Sequence, residues 1–96
     1  MATVTERQSG VGVLDMPELG SPWVVILYND EYHDFDEVIL QVQKATGYSL
    51  ERASDIVVTA HFTGRAIAYD GDQEECERAA GVLRQIRLQV ETDRAF

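Results

Sequence analysis

Trp23-Val24-Val25-Ile26-Leu27-Tyr28 is apolar or aromatic at every position and then stops at Asn29-Asp30. A short run of β-branched and aromatic residues, apolar on both faces and closed by turn formers, reads as a central strand. Such a strand belongs at the centre of a sheet, and the rest of the chain has to cover it.

From Asp34 the spacing becomes helical. Phe35, Val38, Ile39, Val42 and Ala45 fall on one face, and Gly47 supplies a left-handed stop. Ser49 can cap a second helix whose stripe is Leu50, Ala53, Ile56, Val57 and Ala60; Gly64 ends it, and His61 falls in its last turn. Arg65 to Tyr69 alternates as a half-buried strand does, and Asp70-Gly71 makes a turn. Asp72, with Glu75 three residues on, opens a third helix whose inward stripe is Cys76, Ala79, Ala80, Leu83 and Ile86. Leu88 to Thr92 forms a last short strand. The order β-α-α-β-α-β predicts an α+β fold, a two-layer sandwich in which three helices cover a three-stranded antiparallel sheet. Residues 1–22 are rich in Gly, Ser, Thr, Pro and acids without periodicity, so they are predicted to be a flexible tail ahead of a single domain over 23–96.

A hydrophobic content of 45% in 96 residues allows one core. The net charge of -9, from 17 acidic and 8 basic residues, argues against nucleic acid and anionic membrane as partners, because like charges repel before contact forms. Cys76 is the single cysteine, so no internal disulfide and no zinc-type spacing can be written, and no metal or cofactor is expected. The longest apolar run is far too short to cross a bilayer and no signal peptide is recognisable. A soluble, cytoplasmic monomer is the expectation.

The polar residues after the first strand suggest a chemistry. Asn29, Asp30, Glu31 and His61 offer an amide oxygen, carboxylates and an imidazole, with no Ser or Cys nucleophile among them. An ammonium group has three N–H donors and no acceptor, so these are its natural partners. Each group also has a plainer reading. The acidic residues suit a turn, His61 suits the negative end of a helix, Cys76 suits the core, and His33 suits a solvated turn.

Two blocks tip the balance. Val25-Ile26-Leu27-Tyr28-Asn29-Asp30-Glu31-Tyr32 resembles the Val-Ile-Leu-x-Asn-Asp-Asp-Tyr signature of the ClpS adaptors, and Glu51-Arg52-Ala53 with Ala60-His61-Phe62-Thr63-Gly64-Arg65-Ala66 resembles their second block. The resemblance implies a non-enzymatic adaptor. Such an adaptor captures proteins with a free α-amino group and a bulky first residue (Phe, Tyr, Trp or Leu), an N-degron, and hands them to a Clp-type AAA+ unfoldase (ClpA or ClpC type) working with ClpP. Carried over by position, Asn29, Asp30, Glu31 and His61 would surround the α-amino group. Phe35, Val38, Ile56, Val57, Ala60 and Leu88 would line or flank the side-chain pocket, and Glu74 would touch the unfoldase. This chain departs from the family at Glu31, where Asp is usual, at Phe35 and Val57, where Met is common, at Ala60, where Val is common, and at His33-Asp34, where Thr-Pro is usual. A shorter Val57 and Ala60 imply a pocket deepened toward aromatic residues, with Phe35 at its rim resisting β-branched ones. The rival readings are a ClpS-like module that docks on the unfoldase without capturing N-degrons and, with less support, a hydrolase using His61 and an acid.

Overall fold

The computed structural model describes residues 22–95. The tail expected over 1–22 therefore lies, apart from Pro22, outside the described residues. Pro22 is tied in, since its carbonyl accepts from the Ala95 N–H at 2.6 Å.

The elements are β1 (Trp23–Tyr28), α1 (Phe35–Thr46), α2 (Leu50–Thr63), β2 (Arg65–Gly71), α3 (Gln73–Arg84) and β3 (Val90–Arg94). β1 lies in the middle of a three-stranded sheet, antiparallel to β2 on one side and β3 on the other. The period of two decides which side chains meet the helices. Val25 and Leu27 are buried on the helix side together with Ala68 of β2, while Ile67, on the opposite face of β2, is 59% exposed. The helices close over that side to form the expected two-layer sandwich.

The caps explain the boundaries. Ser49 accepts from the Arg52 N–H and Asp72 from the Glu75 N–H, each satisfying a donor that the first turn of a helix leaves free. Gly47 (φ 79) and Gly64 (φ 97) take the left-handed conformation that ends α1 and α2, at no cost from a β-carbon. The buried Gln41 of α1 donates to the Val82 carbonyl at 2.6 Å and so ties α1 to the end of α3.

Three boundaries differ from the sequence expectation, the first being α3, which ends at Arg84 and leaves Ile86 in the turn beyond it. β2 continues through Asp70 and Gly71, which pair with Val24 and Trp23, instead of turning there; the register skips Ala68 opposite Val25 and Ile26. β3 begins at Val90 rather than Leu88. α3 is closed by Arg87 N–H to Arg84 carbonyl (2.9 Å) and Leu88 N–H to Leu83 carbonyl (3.4 Å), with Arg87 in the left-handed region at φ 67. That is a Schellman-type ending, and it uses Leu88 to finish the helix before the strand can start. Among the described residues no helix is long and apolar enough to cross a membrane.

Candidate functional site

β1 delivers its last residues to the edge of the core, where two backbone bonds hold them. The Tyr28 N–H donates to the Gln89 carbonyl and the Asn29 N–H to the Gly64 carbonyl, both at 3.0 Å. The second bond brings the Asn29-Asp30-Glu31 turn against the end of α2, the element that carries His61.

Between that turn and the helices lies a hollow lined by Leu27, Tyr28, Asn29, Asp30, His33, Phe35, Val38, Val57 and Ala60, with an empty volume of about 260 Å³ counted out through its mouth. That figure takes in open solvent at the mouth, so the hollow is a shallow apolar depression rather than an enclosed cavity. Val57 and Ala60 are one helical turn apart on α2 and present the same face, with Val38 of α1 opposite and Phe35, 44% exposed, at the rim.

The polar end is tightly organised. Asn29 Nδ2 donates to Glu31 Oε2 at 2.7 Å, which leaves the amide oxygen for an incoming donor. Asp30 Oδ1 accepts from the N–H groups of Tyr32 (2.6 Å) and His33 (2.8 Å), and Oδ2 lies 2.8 Å from His33 Nδ1. Burial pushes the Asp30 carboxyl up, but the His33 and Tyr32 N–H groups and the His33 ring outweigh it and hold Asp30 below the usual carboxylate range. The hydrogen bond to Asp30 raises His33 above the ordinary imidazole value and outweighs desolvation, which pushes it down. On the β3 side the Tyr28 hydroxyl donates to Glu91 Oε1 at 2.8 Å, and that bond pushes the phenol up.

Of the residues that the sequence proposes for the ammonium corner, Asn29 and Asp30 line the hollow. Glu31 sits behind Asn29, exposed and bonded to it. The exposed His61 is not part of the lining. Its ring stands edge-on to Phe35 (centroids 5.2 Å apart, planes at 89°) and to Phe62 (4.9 Å, 81°), so it adjoins the rim through Phe35.

Of the proposed pocket residues, Phe35, Val38, Val57 and Ala60 line the hollow, whereas Ile56 and Leu88 do not. Ile56 lies about 100° round the helix from Val57 and packs on the core as a partly buried residue. Leu88 is 3% exposed, drawn into the core by the ending of α3. Glu74 is exposed in the first turn of α3.

Three lining residues escape the sequence reading: Leu27, Tyr28 and His33. Leu27 and Tyr28 were legible only as strand core. His33, which the sequence places in a solvated turn, is a half-buried wall residue paired with Asp30 three residues before it. Among the described residues no three of His, Cys, Asp and Glu come together as metal ligands.

Residues 18–91 match the family described as ATP-dependent Clp protease adaptor protein ClpS. The ATP-dependent Clp protease adapter protein ClpS of Streptomyces coelicolor is 33% identical over 75 residues, covering 78% of each chain. A stretch of the human E3 ubiquitin-protein ligase UBR2 is also 33% identical over 70 residues, 73% of this chain but 4% of that protein. In fold, the chain is similar to Agrobacterium tumefaciens ClpS2 bound to L-phenylalaninamide, with a TM-score of 0.71 and 20% identity over 77% of this chain and 96% of that one. With its strand order, its two motif blocks and a family match that spans most of its length, this chain belongs to the ClpS family of Clp protease adaptors.

Proposed function

We propose that the hollow receives the first side chain of a polypeptide whose free α-amino group lies against Asn29 and Asp30, with Glu31 and His61 close by, and that the chain passes this polypeptide to a Clp-type AAA+ unfoldase, of ClpA or ClpC type, coupled to ClpP. Bulky first residues, Phe, Tyr, Trp and Leu, are the expected cargo. One observation carries the reading: an apolar hollow walled by Phe35, Val38, Val57 and Ala60 shares its wall with an acidic, acceptor-rich corner at Asn29 and Asp30. A polypeptide N-terminus with a large first residue has that same pairing of cation and apolar group on adjacent atoms. The ligand named with the Agrobacterium fold neighbour, L-phenylalaninamide, has it too.

The energetics are adequate. Burying a large side chain is worth roughly 1.5–3 kcal/mol, and each charge-assisted hydrogen bond about 1.5–3 kcal/mol before the costs of association. Micromolar affinity, about -8 kcal/mol, is within reach. Acetylating the peptide keeps the apolar contact but removes the charge and two donors.

Calorimetric titration with a Phe-first peptide and its acetylated twin tests the reading. Binding of the free peptide with loss of the acetylated one supports it. Equal binding of the two, or binding of neither, refutes it, and the latter result favours the rival reading of a module that docks on the unfoldase without capturing N-degrons.

A further inference from the structure

His33 stands where the ClpS signature has a hydroxyl, and nothing in the proposed capture of an amine uses it. It is nonetheless in the wall of the hollow, between the acidic turn and the end of α3. Its Nδ1 is 2.8 Å from Asp30 Oδ2, so one carboxylate oxygen is already committed to a ring that can itself carry a positive charge. The groups facing the ring all favour that charge: the Asp30 carboxylate from its own turn, Glu37 from the first turn of α1, and the backbone carbonyl of Ile86 from the turn after α3. Asp30 Oδ1 is meanwhile held by the Tyr32 and His33 N–H groups, which leaves Oδ2 as the oxygen over which two cations can compete.

We propose that His33 is a positioning residue that sets the charge of the amine corner through Asp30, and that entry of an ammonium group displaces a proton from His33. The inference rests on the amine-capture reading above. Before binding, the imidazolium neutralises Asp30. When the guest's ammonium arrives, the proton leaves for solvent, the neutral ring keeps its bond to Oδ2 through Nδ1–H, and the carboxylate's charge passes to the guest. One cation replaces another, and no covalent bond changes. Between its three donors and its new guest, Asp30 is never left without a counter-charge.

The test is proton-linked binding of a Phe-first peptide. Between pH 5.5 and 7.0 the peptide's own amine, with an ordinary value of about 7.7–8.0, stays charged, so it contributes little to the slope. Over that window the parent protein should tighten by roughly three- to tenfold, one displaced proton being worth at most about tenfold per pH unit. Calorimetry in two buffers of different ionisation enthalpy should then count a net release of protons.

His33→Asn keeps a donor for Asp30 but cannot titrate; it should bind with a shallower slope and release fewer protons. Identical slopes and proton counts in the two proteins, or proton uptake by the parent, overturn the proposal. A second measurement needs no variant: the ring-nitrogen NMR titration of His33 should move to lower pH when the peptide saturates the protein, and an unmoved titration likewise overturns the proposal. Absence of peptide binding at every pH overturns the capture reading, and this inference with it, whereas binding without a His33-dependent proton overturns this inference alone.

Discussion

Replacing Asp30 separates the two tasks its carboxylate is placed to perform, shaping the turn and presenting charge. The side chain is only 11% exposed, and Oδ1 accepts from the backbone N–H groups of Tyr32 and His33 at 2.6 and 2.8 Å. Asp30→Ala strands both donors. Bonds to a charged group are worth about 1.5–3 kcal/mol each. Tyr32 is 94% exposed, so water can take over part of its share. For the two backbone bonds together the loss should come to about 2–4 kcal/mol. In a domain of this size each kcal/mol shifts Tm by roughly 4–8 °C, so melting should fall by roughly 8–30 °C. Asp30→Asn keeps an oxygen in the Oδ1 position and gives up only the charge assistance, about 1–2 kcal/mol. For a bound N-terminus the two substitutions are alike, since both remove the negative charge. Each should weaken a Phe-first peptide by about tenfold or more, at least about 1.4 kcal/mol. Thermal melts followed by circular dichroism and calorimetric titrations on the three proteins at pH 7 give both readouts. If Asp30→Ala is no less stable than Asp30→Asn, the turn account is wrong; if Asp30→Asn binds the peptide as tightly as the parent, the charge account is wrong.

Ala60→Leu should fill the hollow from α2, lowering stability by about 1–3 kcal/mol while abolishing peptide binding; a variant that still binds would place the guest elsewhere. Arg87 sits at φ 67, where a side chain costs about 1–2 kcal/mol. After the entropy glycine loses on folding, Arg87→Gly should stabilise by about 0.5–1 kcal/mol, and a lower urea midpoint would contradict the assigned ending of α3. His33 is raised by Asp30, so its contribution to stability is complete below 6.5 and fades as pH climbs through its folded value; Asp30 is lowered, so its contribution holds above 3.8 and is lost as pH falls through its own. The Tm gap between the parent and His33→Asn should therefore be wider at pH 5.5 than at pH 8.5, and a gap that widens with rising pH would contradict the pairing. Burial, helped by Asp70, Asp72 and Glu75, pushes the Cys76 thiol up to about 11, so a disulfide reagent at pH 8 should label it only along the urea unfolding transition; rapid labelling of the folded protein would show the thiol to be accessible.

The elements were legible where local chemistry and tertiary packing agree. β1 is the central strand, and the face that carries Val25 and Leu27 is buried under the helices, while Ser49, Gly47, Gly64 and Asp72 carry their caps in their residue types. The end of α3 was not legible, because the left-handed position that glycine usually marks is occupied by Arg87, so Leu88 looked like the start of a strand. The continuation of β2 was hidden for a related reason: Asp70-Gly71 is a strong turn signal locally, and only pairing with Val24 and Trp23 overrides it. In the site, Phe35, Val38, Val57 and Ala60 were accessible through helical periodicity joined to the motif blocks. Leu27 could not be told from core, because the hollow exists only where β1 runs out beneath two helices. His33 was missed because a histidine three residues from an aspartate looks the same whether the turn is solvated or built into a wall.

On the capture reading, what would make the corner selective is how close its two halves lie. α2 ends at the Asn29 turn, joined to it through the Gly64 carbonyl, so the negative pole of the helix, equivalent to about half a charge, adds to Asp30 and Glu31 on the same side of the hollow. Any cation is drawn there, and attraction alone would not distinguish a polypeptide N-terminus from a lysine side chain. The distinction would come from Asn29 and Asp30 sharing a wall with Val57 and Ala60. A lysine ammonium stands on a flexible four-carbon stem with nothing bulky beside the nitrogen, so filling the polar corner leaves the apolar hollow empty. An α-amino group carries its side chain on the adjacent carbon and reaches both at once. On the capture reading, affinity therefore follows the product of the two contacts, and a guest with only one falls short by the whole of the other.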